Sequence, residues 1–150
     1  MRIARFSLDD DLFYGVLDDD GTSLLVLSGD PLVGQVTPTG RRVPLDDVRL
    51  LAPVIPRSKV LAIGRNYAEH AAELGHEVPE QPLVFLKPNT SVIGPGDPIV
   101  RPAGATRVDF EGELAIVIGR VASSVPPRRV ADVIFGYTIA NDVTERNWQN

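Results

Sequence analysis

A chain of 150 residues has room for one ordinary domain, or for a small domain joined to part of a larger one. With 43% hydrophobic and 23% charged residues it is globular rather than disordered in composition, and a net charge of −5 without a basic stripe argues against a nucleic-acid partner. Cysteine is absent, which excludes disulfides, zinc–thiolate sites and a cysteine nucleophile.

The opening MRIARFSLDD lacks the apolar stretch of a signal peptide, and no apolar run approaches membrane-spanning length. A cytoplasmic protein with no membrane partner is the expectation. Residues 1–52 read as a meander: RIARF, FYGVL and TSLLVL are short β-prone runs, separated by the acidic turn clusters at 9–11 and 18–21. LAPVIPRSK, with Pro53 and Pro56, reads as a linker, because proline removes a ladder donor and stiffens the chain. A second region opens with KVLAIG, a continuous apolar run predicted to be a buried strand.

AEHAAELG, at 68–75, is alanine-rich and closes on Gly75, so it predicts a short helix with a glycine stop. His70 and Glu73 lie three apart, hence on one helical face, where a carboxylate raises an imidazole pKa and fixes its tautomer. That arrangement suits a general base acting on water; an ordinary surface pair is the plain alternative. PLVFLKP predicts a strand and GPGDP a turn. SSVPPRRVADV predicts a loop with a short helix, IFGYTIAND a strand, and VTERNWQN the start of a helix.

Between them stands VDFEGELAIVIG, in which Asp109, Glu111 and Glu113 alternate through an otherwise apolar run. A strand would set the three acids on one face with Ala115 and Val117, and Val108, Phe110, Leu114, Ile116 and Ile118 on a core face. Neighbouring acids on that face would be roughly 6.6–6.8 Å apart along the backbone. Like charges so placed need water or a cation between them, so the acids either line a wet surface or surround a metal. Asp142, at the C-terminal end of another apolar strand, is a further oxygen donor, and an all-oxygen set suits a hard ion such as Mg²⁺ or Mn²⁺. Its alternative is structural: Asp142-Val-Thr-Glu145 has the spacing of a helix capping box. Asp109 could equally orient a ligand without touching the ion.

Four segments in series, GRNYAEHAAELG, PLVFLKPNTSVIGPGDPIVRP, VDFEGELAIVIGR and FGYTIANDVTERNWQ, together resemble the fumarylacetoacetate hydrolase family over about residues 57–149. The leading meander resembles the small N-terminal domain of bacterial members from aromatic-acid degradation, the 2-hydroxyhepta-2,4-diene-1,7-dioate isomerases and related 5-carboxymethyl-2-oxo-hex-3-ene-1,7-dioate decarboxylases. The resemblance implies an α+β, β-rich fold: a mixed-sheet β-roll preceded by a small β-meander domain at 1–52, with 57–150 forming an incomplete catalytic domain. Relatives carry a further catalytic lysine and much of the barrel beyond the position matching Asn150, so the chain is expected to be a piece of a longer protein. By motif position the metal ligands would be Glu111, Glu113 and Asp142, holding Mg²⁺ or Mn²⁺. The water-activating pair would be His70 and Glu73, and Lys87, Arg146 and Gln149 would hold substrate carboxylate or oxo groups. The implied activity is metal-dependent C–C hydrolysis, decarboxylation or isomerisation of a 2-oxo diacid or its enol, in a homodimer. A non-catalytic metal-dependent binder of dicarbonyl acids, an oxaloacetate decarboxylase or tautomerase, and a β-rich interaction domain with solvated acids are the alternatives.

Overall fold

The computed structural model describes residues 1–69, 75 and 77–149. Two compact units divide them: 1–26 with 40–95, and 27–39 with 96–150. Eleven strands occur among the described residues, in small sheets, as the β-rich reading requires.

The largest sheet has five strands in the order β4-β3-β2-β1-β5. They are β1 (Ile3–Leu8), β2 (Asp11–Leu17), β3 (Ser23–Leu27), β4 (Pro38–Pro44) and β5 (Arg49–Leu51). Strand β1 runs antiparallel to both β2 and β5, and β2 runs antiparallel to β3. The acidic turn joining β1 to β2 is as tight as a hairpin permits: Leu8 pairs with Asp11, and Asp9 and Asp10 both take positive φ, at 53° and 67°. A two-residue turn that follows the strand twist needs both central residues left-handed, a conformation aspartate tolerates better than most side chains.

Alternation of apolar residues builds the core of this sheet. Phe6 and Leu24 are fully buried, with Val26 and Val43 nearly so, and Phe13, Leu17, Val48 and Leu50 pack around them. Phe6 stands opposite Phe13 in the register, and their rings stack at 5.7 Å. Gly15 makes room for this ring: a Cβ there would come within 3.1 Å of both the Phe6 ring and the Leu25 carbonyl. Burial of side chains of this size stabilises by about 1.5–3 kcal/mol each.

The remaining described strands form three two-stranded antiparallel ribbons. In the first, β6 (Val60–Gly64) pairs β7 (Leu83–Lys87). KVLAIG was expected to be buried throughout; instead exposure alternates, with Leu61 and Ile63 outward, as a strand covered on one side at most must show. Residues 68 and 69 are helical, and Gly75 has a φ of 72°, the left-handed region that favours glycine. The remainder of the segment expected to be helical, including His70 and Glu73, lies outside the described residues. The expected short helix in SSVPPRRVADV is a 3-10 segment, Pro127–Asp132.

The other two ribbons are β8 (Val108–Asp109) with β11 (Thr144–Glu145), and β9 (Gly112–Ile118) with β10 (Ile134–Asn141). VTERNWQN therefore does not start a helix. Its first residues extend β11 and its next three form a turn, because Thr144 and Glu145 find ladder partners in Asp109 and Val108. Among the described residues no helix is long and apolar enough to cross a membrane.

Candidate active site

The acidic strand is two strands with one pleat. Between β8 and β9 the chain leaves one ribbon and enters another, and 110 and 111 belong to neither. The alternation nevertheless survives the break. Asp109, Glu111, Glu113, Ala115 and Val117 are all partly covered, and every residue between them is exposed. The expected grouping of the acids on one face is observed, while the assignment of the opposite face to a core is overturned. Phe110 is 83% exposed and Leu114 63%, and Ile116 and Ile118 are also outward. Their neighbours Tyr137 and Ile139 on β10 are exposed as well, so among the described residues no layer covers this side of the ribbon.

The partner strand breaks at the same level. Glu113 pairs with Ala140 and Gly112 with Asn141, after which β10 ends. The Asp142 amide then donates to the Glu111 carbonyl at 2.8 Å, and the Asn141 side-chain oxygen accepts from the Glu111 amide at 3.0 Å. Both chains thus change ribbon at one point, and the Glu-Gly-Glu and Asn-Asp motifs face each other across it. Asp142 does not cap a helix. Its carboxylate and carbonyl instead lie near the Thr144 hydroxyl, at 3.5 and 3.2 Å.

Past the break, the side chains of adjacent residues Glu145 and Arg146 do different work. Glu145 Oε1 accepts from the amides of Thr106 and Arg107, both at 2.9 Å, and from Asn147 Nδ2 at 3.1 Å; Oε2 accepts from the Trp148 amide at 2.9 Å. The backbone bond from Arg107 leads the effects that hold this carboxyl at a pKa of about 2. Sequence reasoning gave Glu145 the wrong partner, a helix N-terminus, although the signal, an acid near orphaned amides, was correct.

Arg146 is 10% exposed. Its Nε donates to Asp109 Oδ2 at 2.8 Å, Nη2 pairs with Glu111 Oε1 at 2.7 Å, and Nη1 donates to Gln149 Oε1 at 3.1 Å. Arg107 Nη2 approaches Asp109 at 3.5 Å. The hydrogen bond from Arg146 is the main reason the Asp109 carboxyl sits below its ordinary pKa, and the same bond holds Arg146 still more firmly in its charged form. Charge-assisted bonds of this kind are roughly twice as strong as neutral ones.

The structure therefore brings Glu111, Glu113 and Asp142 to one crossing point by backbone register, and joins Arg146 and Gln149 to it through Glu111. Lys87 lies at the end of β7, opposite Val60. A hard divalent ion fits this donor set in kind, since all three residues offer carboxylate oxygen from adjacent chain segments. Among the described residues, no three acidic or histidine side chains converge as an ion would require, and Glu111 is turned to Arg146.

The sequence profile described as fumarylacetoacetate (FAA) hydrolase C-terminal matches residues 59–150, which include every one of these groups. The chain belongs to the fumarylacetoacetate hydrolase family. A second profile, Rv2993c-like N-terminal, matches residues 1–53. Protein Rv2993c of Mycobacterium tuberculosis is 47% identical over 153 residues, covering 99% of this chain and 57% of that protein. The crystal structure of the 5-carboxymethyl-2-hydroxymuconate delta-isomerase from Mycobacterium smegmatis superposes with a TM-score of 0.85 at 47% identity, over 99% of this chain and 57% of the other. That of the 2-hydroxyhepta-2,4-diene-1,7-dioate isomerase from Mycobacterium marinum gives 0.82 at 43% identity, over 99% and 56%. The chain spans little more than half the length of these relatives.

Proposed function

We propose that the protein carrying this sequence is a divalent-metal-dependent enzyme that isomerises an unsaturated 2-oxo diacid or its enol. Residues 1–52 would form a small separate domain, and 57–150 would belong to the catalytic domain. The observation that supports this reading best is the Asp142 amide on the Glu111 carbonyl at 2.8 Å, since it puts the Glu-Gly-Glu pair and Asp142 at one level of two adjacent segments. The names of the two solved relatives, both isomerases of unsaturated diacids, favour relocation of a proton over hydrolysis or decarboxylation.

In this reading Glu111, Glu113 and Asp142 would hold Mg²⁺ or Mn²⁺, offsetting its charge and leaving coordination positions open for a dicarbonyl acid. When bound, the ion supplies Lewis acidity toward the carboxylate and keto oxygens of a 2-oxo acid. His70, with Glu73 as the partner the family motif implies, would take a proton from the enol oxygen or an adjacent carbon and return it elsewhere on the conjugated chain, so no oxidant or water is consumed. Lys87 and the amide nitrogen of Gln149 serve the substrate's remaining oxygens, because all three Arg146 nitrogens are already engaged within the chain.

Glu111→Gln and Asp142→Asn in the whole protein are expected to weaken Mn²⁺ binding and lower isomerisation of a 2-hydroxy-dienedioate by at least about a hundredfold. Turnover unchanged in both variants would overturn the proposal. Tight binding of oxalate with no turnover of any oxo diacid would point to a non-catalytic binder instead.

A further inference from the structure

We infer that Glu145 is a positioning residue: its carboxylate ties the turn at 146–148 to the stretch before β8 and so sets where Gln149 offers its amide to the substrate. The inference deepens the functional reading above and rests on it in one respect, that Gln149 touches substrate. Its basis is the meeting of two chain segments on a single carboxylate. Oε1 takes the successive amides of Thr106 and Arg107, both at 2.9 Å, and Oε2 takes the Trp148 amide, also at 2.9 Å. Asn147 closes the clasp, donating from Nδ2 to Glu145 Oε1 at 3.1 Å and to the Thr106 hydroxyl at 2.7 Å. Between them, the Arg146 amide donates to the Arg107 carbonyl at 2.9 Å. Residues 145–148 are therefore held against 106 and 107, directly or through Glu145, and Gln149 is the next residue in the chain.

The side chain of Gln149 is fixed from its other end. A guanidinium has donors and no acceptor, so an amide bonded to it must present its oxygen. Arg146 Nη1 accordingly donates to Gln149 Oε1 at 3.1 Å. The amide nitrogen is then the arm left to donate to a substrate oxygen. Its position follows from the backbone anchor at Glu145 and the side-chain anchor at Arg146 together. With its pKa held at about 2, the Glu145 carboxyl is charged at neutral pH, which puts the clasp in its stronger, charge-assisted form.

The test is steady-state turnover of a 2-hydroxy-dienedioate by the whole protein, wild type, Glu145→Gln and Glu145→Asp, with melting temperatures alongside. Glutamine supplies a single acceptor oxygen: with that oxygen on the 106 and 107 amides, its NH₂ meets the Trp148 N–H donor against donor. Aspartate keeps the charge but is a methylene too short to span both segments. Each variant should raise KM about tenfold, the worth of one hydrogen bond to substrate, with kcat within about twofold. That split is expected because an oxygen remote from the moving proton is held equally in ground and transition states. Gln149→Ala should raise KM by a similar factor and add nothing further when combined with Glu145→Gln. Leu24→Ala, in the core of the five-stranded sheet, should lower the melting temperature and leave KM alone, as a merely structural residue would. A KM within about twofold of wild type in Glu145→Asp overturns the inference even if Glu145→Gln does not fold, and so do fully additive effects of the Glu145 and Gln149 variants. Wild-type protein that does not turn over the dienedioate sinks the functional reading and the inference with it, a result distinct from wild-type turnover that the Glu145 variants leave unchanged.

Discussion

The five-stranded sheet and the β9–β10 ribbon are written in the same alternating code, yet only one of them closes a core. In the sheet, Phe6, Leu24, Val26 and Val43 come from three strands and bury one another. In the ribbon, Leu114, Ile116 and Ile118 face outward beside Tyr137 and Ile139, and the more covered side is the one bearing acids. Alternation states that a strand has two unlike faces. Burial also requires a second layer, which the curvature and strand number of the sheet supply and a two-stranded ribbon does not.

The largest expected effect that separates the two regions is loss of the Phe6 ring. Phe6→Ala should destabilise the chain by about 3–5 kcal/mol, read by urea denaturation, because a fully buried ring leaves a cavity that its neighbours cannot fill. A loss under about 1 kcal/mol would mean that the core of the sheet is not closed.

The next test falls on the anchor beside the ribbon. Glu145→Gln removes the charge that attracts three backbone amides, so it should lower the melting temperature at pH 7 by less than Phe6→Ala does. The sign of its pH dependence follows from the depressed pKa. The contribution is fully present above the ordinary glutamate value of 4.5 and is lost as pH falls toward about 2. The gap between wild type and variant should therefore narrow through that window and vanish at its lower end. A gap that stays constant would show that the amides do not recognise the charge.

The smallest effect is expected on the outward face. Ile139 is 85% exposed, and Ile139→Ala should change stability of the 150-residue chain by no more than about 0.5 kcal/mol. The same substitution in a longer protein carrying this sequence is the sharper measurement, since a cost above about 1 kcal/mol there would show that another layer covers the ribbon.

Much of this arrangement was legible in the residues. Short β-prone and apolar runs marked β1, β2, β3, β7 and β10, and the acidic cluster at 9–11 marked a turn. Alternating acids at 109, 111 and 113 placed these residues on one side of the chain even across the break between ribbons. Strand β4, PTGRRVP, carried no such mark because Val43 is its single buried residue, and pairing rather than pattern makes it a strand. The segment at 144–149 was misread because an acid three residues after an aspartate has the same spacing whether its amides come from a helix terminus or from the stretch leading into β8, 38 and 39 residues earlier.

What the sequence determined by itself is local: strand periodicity, tight turns, the kind of oxygen donor on offer and, through four motifs in series, membership of the family. Only the tertiary structure decided which carboxylate belongs to which cation. Asp109 and Arg146 are 37 positions apart in the chain, and their bond exists because two ribbons exchange partners at one level. Contacts of that range depend on register, which side-chain periodicity restricts to odd or even but does not fix.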